Sequence, residues 1–308
     1  MSISSATQSL VNEFRSRPTL RAGSLITTVF GDAIAPRGGT VWVGSLINVM
    51  ADFGISERLV RTSVFRLSRD GWLAVDQIGR RSYYSLTGEG SQKFEQATHR
   101  IYGEPRQAWS GEWCLVLLAG MNAEHKELVR KELGWQGFAV ISSNVLAHPD
   151  PDMVDLDALL RRIGVARDLI VMQGHTIGKS RDSAMRDLVH RSWNLQDIDA
   201  RYKSFARRFR PVLAATRKAR KLDTRRAFQV RTLLIQEYRK VLLRDPLLPA
   251  ELLPGNWHGR SAYQLCRNLY RKVYERADRF MGEEMETADG SLPPPSAEFY
   301  ERFGGLRD

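Results

Sequence analysis

The sequence predicts an α+β, multidomain chain, and three observations carry that expectation. Residues 56–70, SERLVRTSVFRLSRD, form an amphipathic helical pattern with an arginine-rich outer face. From Glu112 short apolar runs alternate with helical segments, and from about Ser180 the periodicity is helical throughout. With 308 residues the chain is long enough for two or three cores. Its 46 Lys and Arg against 35 Asp and Glu give a net charge of +11 and a pI near 9.9, so attraction to polyanions is the default electrostatic expectation.

Taken in chain order, WVGSLINVMADFGI places Leu46, Ile47, Met50 and Phe53 at helical spacing, with Gly54 as a turn and Ser56 as the N-cap of the next helix. In that second helix Val60, Val64, Leu67 and the following Gly71 fall on one side. Arg58, Arg61, Thr62, Arg66 and Arg69 fan across the other, the layout of a recognition helix. Phe65 sits nearer the polar face, where it either touches a thymine methyl or packs under the next element. Downstream, WLAVDQIG and SYYSLT are β-prone runs around Gly79, Arg80 and Arg81, a hairpin with two adjacent arginines at its tip. Helix, tight turn, helix and basic hairpin together predict a winged helix-turn-helix over 18–105. Its second helix would enter the major groove of double-stranded DNA while Arg80 and Arg81 hold the backbone.

TGEGSQKFEQATHRIY reads as a helix capping this domain, and EPRQAWSGEW as a linker. WCLVLLAG, GFAVISSNVLA and DLIVMQG then read as three strands, separated by the helices NAEHKELVRKELGW and DMVDLDALLRRIG; this suggests a small ferredoxin-like βαβ-type domain over 110–178. Over 180–282, Ile198, Tyr202, Phe205 and Phe209 make one helical stripe and Leu265, Leu269, Val273 and Phe280 another, as in a helical bundle. Residues 283–308, containing GSLPPPSAEF, read as a mobile tail. Charge concentrates late: residues 201–280 hold 21 Lys and Arg against 6 Asp and Glu (net +15), whereas residues 1–100 hold 12 against 8 (net +4). The dense stretch RYKSFARRFRPVLAATRKARKLDTRR is open to three readings: a solvated helix face, a second DNA phosphate contact, or an anchor for a phosphate-rich ligand.

The segments SLITTVFGDAI, GTVWVGSLINVMADFGISERLVRTSVFRLSRDGWL, GRRSYYSLT and DPLLPAELLPGNWHGRSAYQLCRNLY, spread over residues 18–282, resemble the PaaX family, repressors of bacterial phenylacetic acid catabolism. The LLPxxWxGxxAY element is the more specific part. The resemblance implies a winged-helix domain, a Cas2-like ferredoxin domain and a helical C-terminal domain. It also implies repression as a homodimer and phenylacetyl-CoA as effector.

Other motifs weaken on inspection. QGHTIGKS at 173–180 has three residues between Gly174 and Gly178, where a phosphate loop needs four. His148, Asp150, Asp152, Asp155 and Asp157 suit a helix N-terminus as well as a metal. Two functions compete: a same-fold regulator responding to another acyl-CoA, and a metal-dependent nuclease built on the middle domain, although the first strand, LVLLAGMN, lacks the acidic residue such an enzyme places near its end. The six histidines stand singly, and no catalytic set or cofactor is expected. Trp193, Tyr202, Trp257, Tyr263 and Tyr270 are aromatics with the chemistry to meet an aryl group. The helix-breaking segment LLPGNWHGRSAY makes Trp257, His258, Arg260 and Tyr263 the local candidates for ligand binding. No apolar run approaches the roughly 20 residues that span a bilayer, and Cys114 and Cys266 stand far apart. The expectation is a cytoplasmic, non-catalytic DNA-binding repressor without membrane partners.

Overall fold

The computed structural model describes residues 2–17, 22–105, 108–176, 182–219 and 221–307. The chain forms two compact units: Met1–Glu104, Lys203–Lys240 and Arg260–Asp308 make the first, Pro105–Tyr202 and Val241–Gly259 the second. The helical segments 203–240 and 260–307, set apart by sequence as a third domain, thus share a unit with the N-terminal region.

The chain opens on α1 (Ile3–Arg15), capped by the Ser2 hydroxyl, which accepts from Ser5 N at 3.1 Å. Leu10, Val11 and Phe14 are its buried stripe, and Phe14 meets Phe53 edge-on at 6.2 Å. After α2 (Ala22–Val29) the helix widens into a π turn over Phe30–Ile34, then tightens over Ala35–Arg37 and stops at Gly38 (φ 84°). Strand β1 (Thr40–Trp42) leads into α3 (Val43–Ala51), a turn through Gly54 (φ 74°), and α4 (Glu57–Arg69). The left-handed φ at Gly54 is what lets the chain reverse within a few residues. Strands β2 (Leu73–Ile78) and β3 (Arg81–Leu86) complete an antiparallel sheet in the order β1-β3-β2, and α5 (Gly88–Tyr102) follows.

In the second unit, β4 (Glu112–Leu117), α6 (Ala123–Trp135), β5 (Ala139–Ser142), β6 (Val145–His148), α7 (Met153–Arg162) and β7 (Ile170–His175) build an antiparallel sheet in the order β5-β6-β4-β7. The run GFAVISSNVLA is therefore two strands, reversed at Ser143 and Asn144, because Ser142 pairs with Val145. From Trp113 on, β4 is apolar for a physical reason: Cys114 and Val116 pack into a core with Val129, Leu133 and Leu156, while Trp113 packs on the opposite face with Val189 and Trp193. His148 accepts from Asp150 N at 3.0 Å through Nδ1, so its Nε2 carries the proton shared with the Pro246 carbonyl at 3.0 Å. Asp152 caps α7, accepting from Val154 N and Asp155 N. Two of the suspected metal ligands thus have structural partners, and no cluster of three or more such groups occurs among the described residues. In QGHTIGKS, residues 177–180 lie outside the described residues.

Helices α8 (Asp182–Ser192), α9 (Leu195–Lys218), α10 (Thr224–Leu242) and α11 (Gly259–Glu284) follow, then the hairpin β8 (Glu286–Thr287) and β9 (Gly290–Ser291). Both helical stripes read from sequence are buried. The segment beyond Gly282, expected to be mobile, is packed instead. Phe299 and Phe303 are inaccessible, and Phe303 lies 5.3 Å from both the Tyr102 and Tyr270 rings. No helix among the described residues is long and apolar enough to cross a membrane, and Cys114 and Cys266 are buried thiols, that of Cys114 pushed up to about 11 by burial.

The first unit is tied together at Asp32, which is 3% exposed. Its Oδ2 accepts from Arg231 Nε at 2.7 Å; its Oδ1 accepts from the Tyr102 hydroxyl (2.6 Å), the Tyr270 hydroxyl (2.9 Å) and Arg302 Nη1 (3.0 Å). The Asp32 carbonyl, in the widened turn, accepts from Arg231 and Arg302 at 2.8 Å each. Arg231 also pairs with Asp278, which holds Arg37 at 3.0 Å. Burial alone would push the Asp32 carboxyl up, but the Arg231 and Arg302 guanidiniums and the Tyr102 hydrogen bond hold it below the usual carboxylate range.

Removing one partner of such a cluster leaves uncompensated buried charge, so Asp32→Ala should lower stability by about 3–5 kcal/mol, read as a fall in the urea midpoint. A loss below about 1 kcal/mol would show that the cluster is not coupled to folding. The acid limb provides a second check. Because the folded pKa of Asp32 is depressed, its contribution is present above the unfolded carboxylate pKa of about 3.9 and is lost as pH falls through the folded value. The wild-type urea midpoint should therefore drop below about pH 4 more steeply than that of Asp32→Ala.

Candidate nucleic-acid interface

The outward face of α4 is set by two residues that point the other way. Val60 and Val64 are fully buried, and Ser56 caps the helix by accepting from Leu59 N at 3.4 Å. At 100° per residue, Arg61, Phe65, Arg58, Arg69, Thr62 and Arg66 follow one another across about 140° of the opposite side, and all six are exposed. The acidic Glu57 in the first turn suits the positive end of the helix dipole.

These side chains are not equivalent. Arg61 donates through Nε and Nη2 to Glu57 Oε1, both at 2.8 Å, and Arg69 pairs with Asp70 at 3.2 Å. Arg58 and Arg66 have no ion pair among the described residues. The Thr62 hydroxyl donates to the Arg58 carbonyl at 2.8 Å, which leaves its oxygen as an acceptor. Phe65 is 65% exposed, so of the two roles open to it from sequence it does not take the packed one.

At the hairpin, Ile78 pairs with Arg81, so Gly79 and Arg80 form a two-residue tip. Gly79 carries a positive φ of 60° and Arg80 does not, which matches a type II′ turn. Arg80 is exposed at that tip with no ion pair among the described residues. Arg81 differs from expectation. Its guanidinium lies 4.3 Å over the Trp42 ring and donates to Glu286 at 2.9 Å, while the Glu286 N–H donates to Ser45 Oγ at 3.1 Å. Both arginines are exposed, but Arg81 is tethered to Glu286 and Trp42 whereas Arg80 has no ion pair among the described residues. The Glu57–Arg61 pair, not among the sequence expectations, has the local signal of an i, i+4 spacing; the Arg81 clamp joins residues 205 positions apart and leaves no local sign.

Basic side chains elsewhere divide in the same way. Arg208 on α9 is spent on Glu13 (2.7 Å) and Glu237 (2.8 Å), and Arg225 on Asp52 (2.9 Å), beside the turn that leads into α4. Arg207, Arg210, Arg217 and Lys218 are exposed along α9.

The four residues singled out for ligand binding do not belong to one unit. In the second unit Trp257 packs edge-on to Tyr202 at 5.8 Å, and His258 binds Asp199 through both its N–H (2.9 Å) and Nδ1 (3.0 Å). In the first unit Arg260 is exposed in the first turn of α11, and Tyr263 is buried with a hydroxyl that has no hydrogen-bond partner among the described residues. The remaining aromatics are committed to the fold: Trp193 Nε1 donates to the Gly137 carbonyl (2.7 Å), and the Tyr202 hydroxyl donates to Asp245 (2.6 Å) as that of Tyr270 does to Asp32.

Comparison with known proteins adds a family to this geometry. The chain matches the PaaX-like protein model over residues 21–90 and the PaaX-like protein C-terminal domain model over residues 193–283. It is 40% identical over 284 residues to the transcriptional repressor PaaX of Escherichia coli (strain K12), covering 92% of this chain and 90% of that protein. The uncharacterized protein Rv0674 from Mycobacterium tuberculosis has the same fold, with a TM-score of 0.54 at 24% identity, over 85% of this chain and 99% of that one.

Proposed function

The chain belongs to the PaaX family, and on that premise we propose that it is a transcriptional repressor that binds double-stranded operator DNA through a winged helix-turn-helix. One observation carries the reading: α4 buries Val60 and Val64 and turns four arginines, a threonine and a phenylalanine to solvent. A cationic face of that width fits the major groove, where arginine forks meet guanine edges and an apolar contact meets thymine. Arg80 at the hairpin tip contributes phosphate attraction, which positions without specifying.

The middle domain is read as ferredoxin-like, and Cas2-like by family resemblance; support comes from the β-α-β-β-α-β succession and the strand order β5-β6-β4-β7. The protein acts in the cytoplasm as a regulator, with no catalytic step. One recognition helix reads only a few base pairs, so tight binding calls for a homodimer on an inverted repeat. The regulated genes are those of phenylacetate catabolism, in keeping with the family, and phenylacetyl-CoA is the effector. That ligand combines phosphate charge with an aryl group and releases DNA by binding the DNA-free conformation more tightly.

On a duplex selected from a random pool by the full-length chain, Arg61→Ala should cost about 1–3 kcal/mol of specific binding, as expected for loss of a guanine contact. Arg80→Ala should weaken all sequences alike and lower the salt slope by about one unit. Arg81→Ala should lower that slope by less than Arg80→Ala does, since the Arg81 guanidinium is shared with Glu286 and the Trp42 ring. Equal operator affinity in Arg61→Ala and Arg66→Ala would refute the assignment of α4.

Titrating the same complex with phenylacetyl-CoA, and in parallel with free phenylacetate, tests the effector. Release by the thioester alone is expected. Release by neither, or equally by both, would remove phenylacetyl-CoA from the scheme.

A further inference from the structure

We infer that Phe65 is a specificity-determining residue that reads the 5-methyl group of a thymine in each operator half-site. The inference rests on the reading of α4 as the DNA-reading helix.

Among the described residues Phe65 is the most exposed large apolar side chain of the first unit, at 65%, and exposed arginines flank it on both sides. On the wheel it lies between Arg61 and Arg58, and about 100–140° from Val64 and Val60, so it projects from within the cationic face, one position in from the Arg61 edge. Leaving an aromatic ring in water forfeits the stabilisation that burying it would contribute. A solvated helix face is better served at that position by Glu, Lys or Gln, all stronger helix formers than Phe.

The neighbours narrow what can cover it. A protein partner with an apolar patch would have to bury the flanking arginines as well. Arg58 and Arg66 bring no counter-charge of their own among the described residues, and the only acid paired within the helix is Glu57, at its first turn. A groove of a nucleic acid supplies phosphates for the arginines on either side and, between them, base edges. The one apolar group on a major-groove edge is the thymine methyl, which a phenyl ring can contact without any hydrogen-bond geometry. Arg61 lies one turn before Phe65 and about 40° from it on the wheel, with its guanidinium drawn to Glu57 on the side away from the ring. The expected subsite is a thymine beside the base met by Arg61.

The experiment replaces each thymine of the selected duplex, one at a time, by deoxyuridine, which keeps every hydrogen-bonding atom and lacks only the methyl. Binding of the full-length chain is read by fluorescence anisotropy. At one thymine per half-site the wild-type protein should bind the uracil duplex about fourfold more weakly, the ratio that corresponds to the roughly 0.8 kcal/mol of one buried methyl. Phe65→Ala should bind thymine and uracil duplexes equally and retain the wild-type salt slope; being a truncation at the surface, it should keep the wild-type urea midpoint. Phe65→Leu should restore part of the discrimination.

Equal wild-type affinity for thymine and uracil at every position would overturn the inference. So would discrimination that persists in Phe65→Ala, or a change in the association state of DNA-free protein on that substitution, which would mark a protein contact. The arginine variants separate the two levels. If Arg61→Ala and Arg66→Ala weaken specific binding while uracil is silent, only the role of Phe65 fails; if they too are without effect, the DNA-reading assignment of α4 fails with it.

Discussion

A single buried carboxylate organises the first unit. Asp32 sits at the widened turn after α2 and receives side chains from α5, α10, α11 and the C-terminal segment, which come from residues 70 to 270 positions away. Two guanidiniums and two hydroxyls converge on it, and Asp278 balances the outer side by taking Arg37 and Arg231. Desolvating these ions costs several kcal/mol each, so their mutual attraction is not a source of large net stability. What the cluster provides is geometry: its donors share the carboxylate and carbonyl of one residue, and a displaced helix leaves a buried charge unpaired. Because the segment fixed in this way runs directly into β1 and α3, the platform under α4 is positioned by the C-terminal helices as well as by its own core.

Charge is accordingly used in two ways in this chain. The net +15 of residues 201–280 suggests a continuous polyanion-binding surface, yet a good part of it is internal bookkeeping. Arg208, Arg225, Arg231 and Arg239 are spent on Glu13, Asp52, Asp32 and the Ser24 carbonyl. Arg231 is among the largest fully buried side chains, where its charge stabilises the fold and is invisible to a distant phosphate. The N-terminal region has the smaller net charge but presents it on one helix face and one hairpin tip. For a groove-binding surface, arrangement matters more than total.

Local periodicity was enough to place α3, the Gly54 turn, the Ser56 cap, α4 and the β2–β3 hairpin, because each is encoded within a few residues by spacing, capping and turn chemistry. The buried stripes of α9 and α11 were legible for the same reason. Helix α1 is less legible: Leu10, Val11 and Phe14 repeat at helical spacing, but the partners that bury them, Phe53 and through it Phe228, lie far along the chain. It also left the tail mobile: Pro293, Pro294 and Pro295 argue against regular structure, but Phe299 and Phe303 a few residues later find an aromatic pocket that composition does not reveal. The second strand of the middle sheet was read as one because IleSerSerAsnVal carries no glycine to mark its reversal. Contacts that decide between neighbours, such as the tether that holds Arg81 and not Arg80, depend on a residue some two hundred positions away and stay beyond pattern reasoning.

The most direct test of the account is to attach a chemical cleavage reagent to the outer face of α4 and ask where on DNA it acts. Both native thiols are buried, so a cysteine introduced as Thr62→Cys is labelled selectively with an iron chelate. On a selected duplex bound by the full-length protein, the account predicts two cleavage clusters centred on the major groove of the half-sites, related by the two-fold axis of the site. Cleavage that is absent, or spread evenly along the duplex without reference to the site, would contradict the claim that α4 reads the sequence.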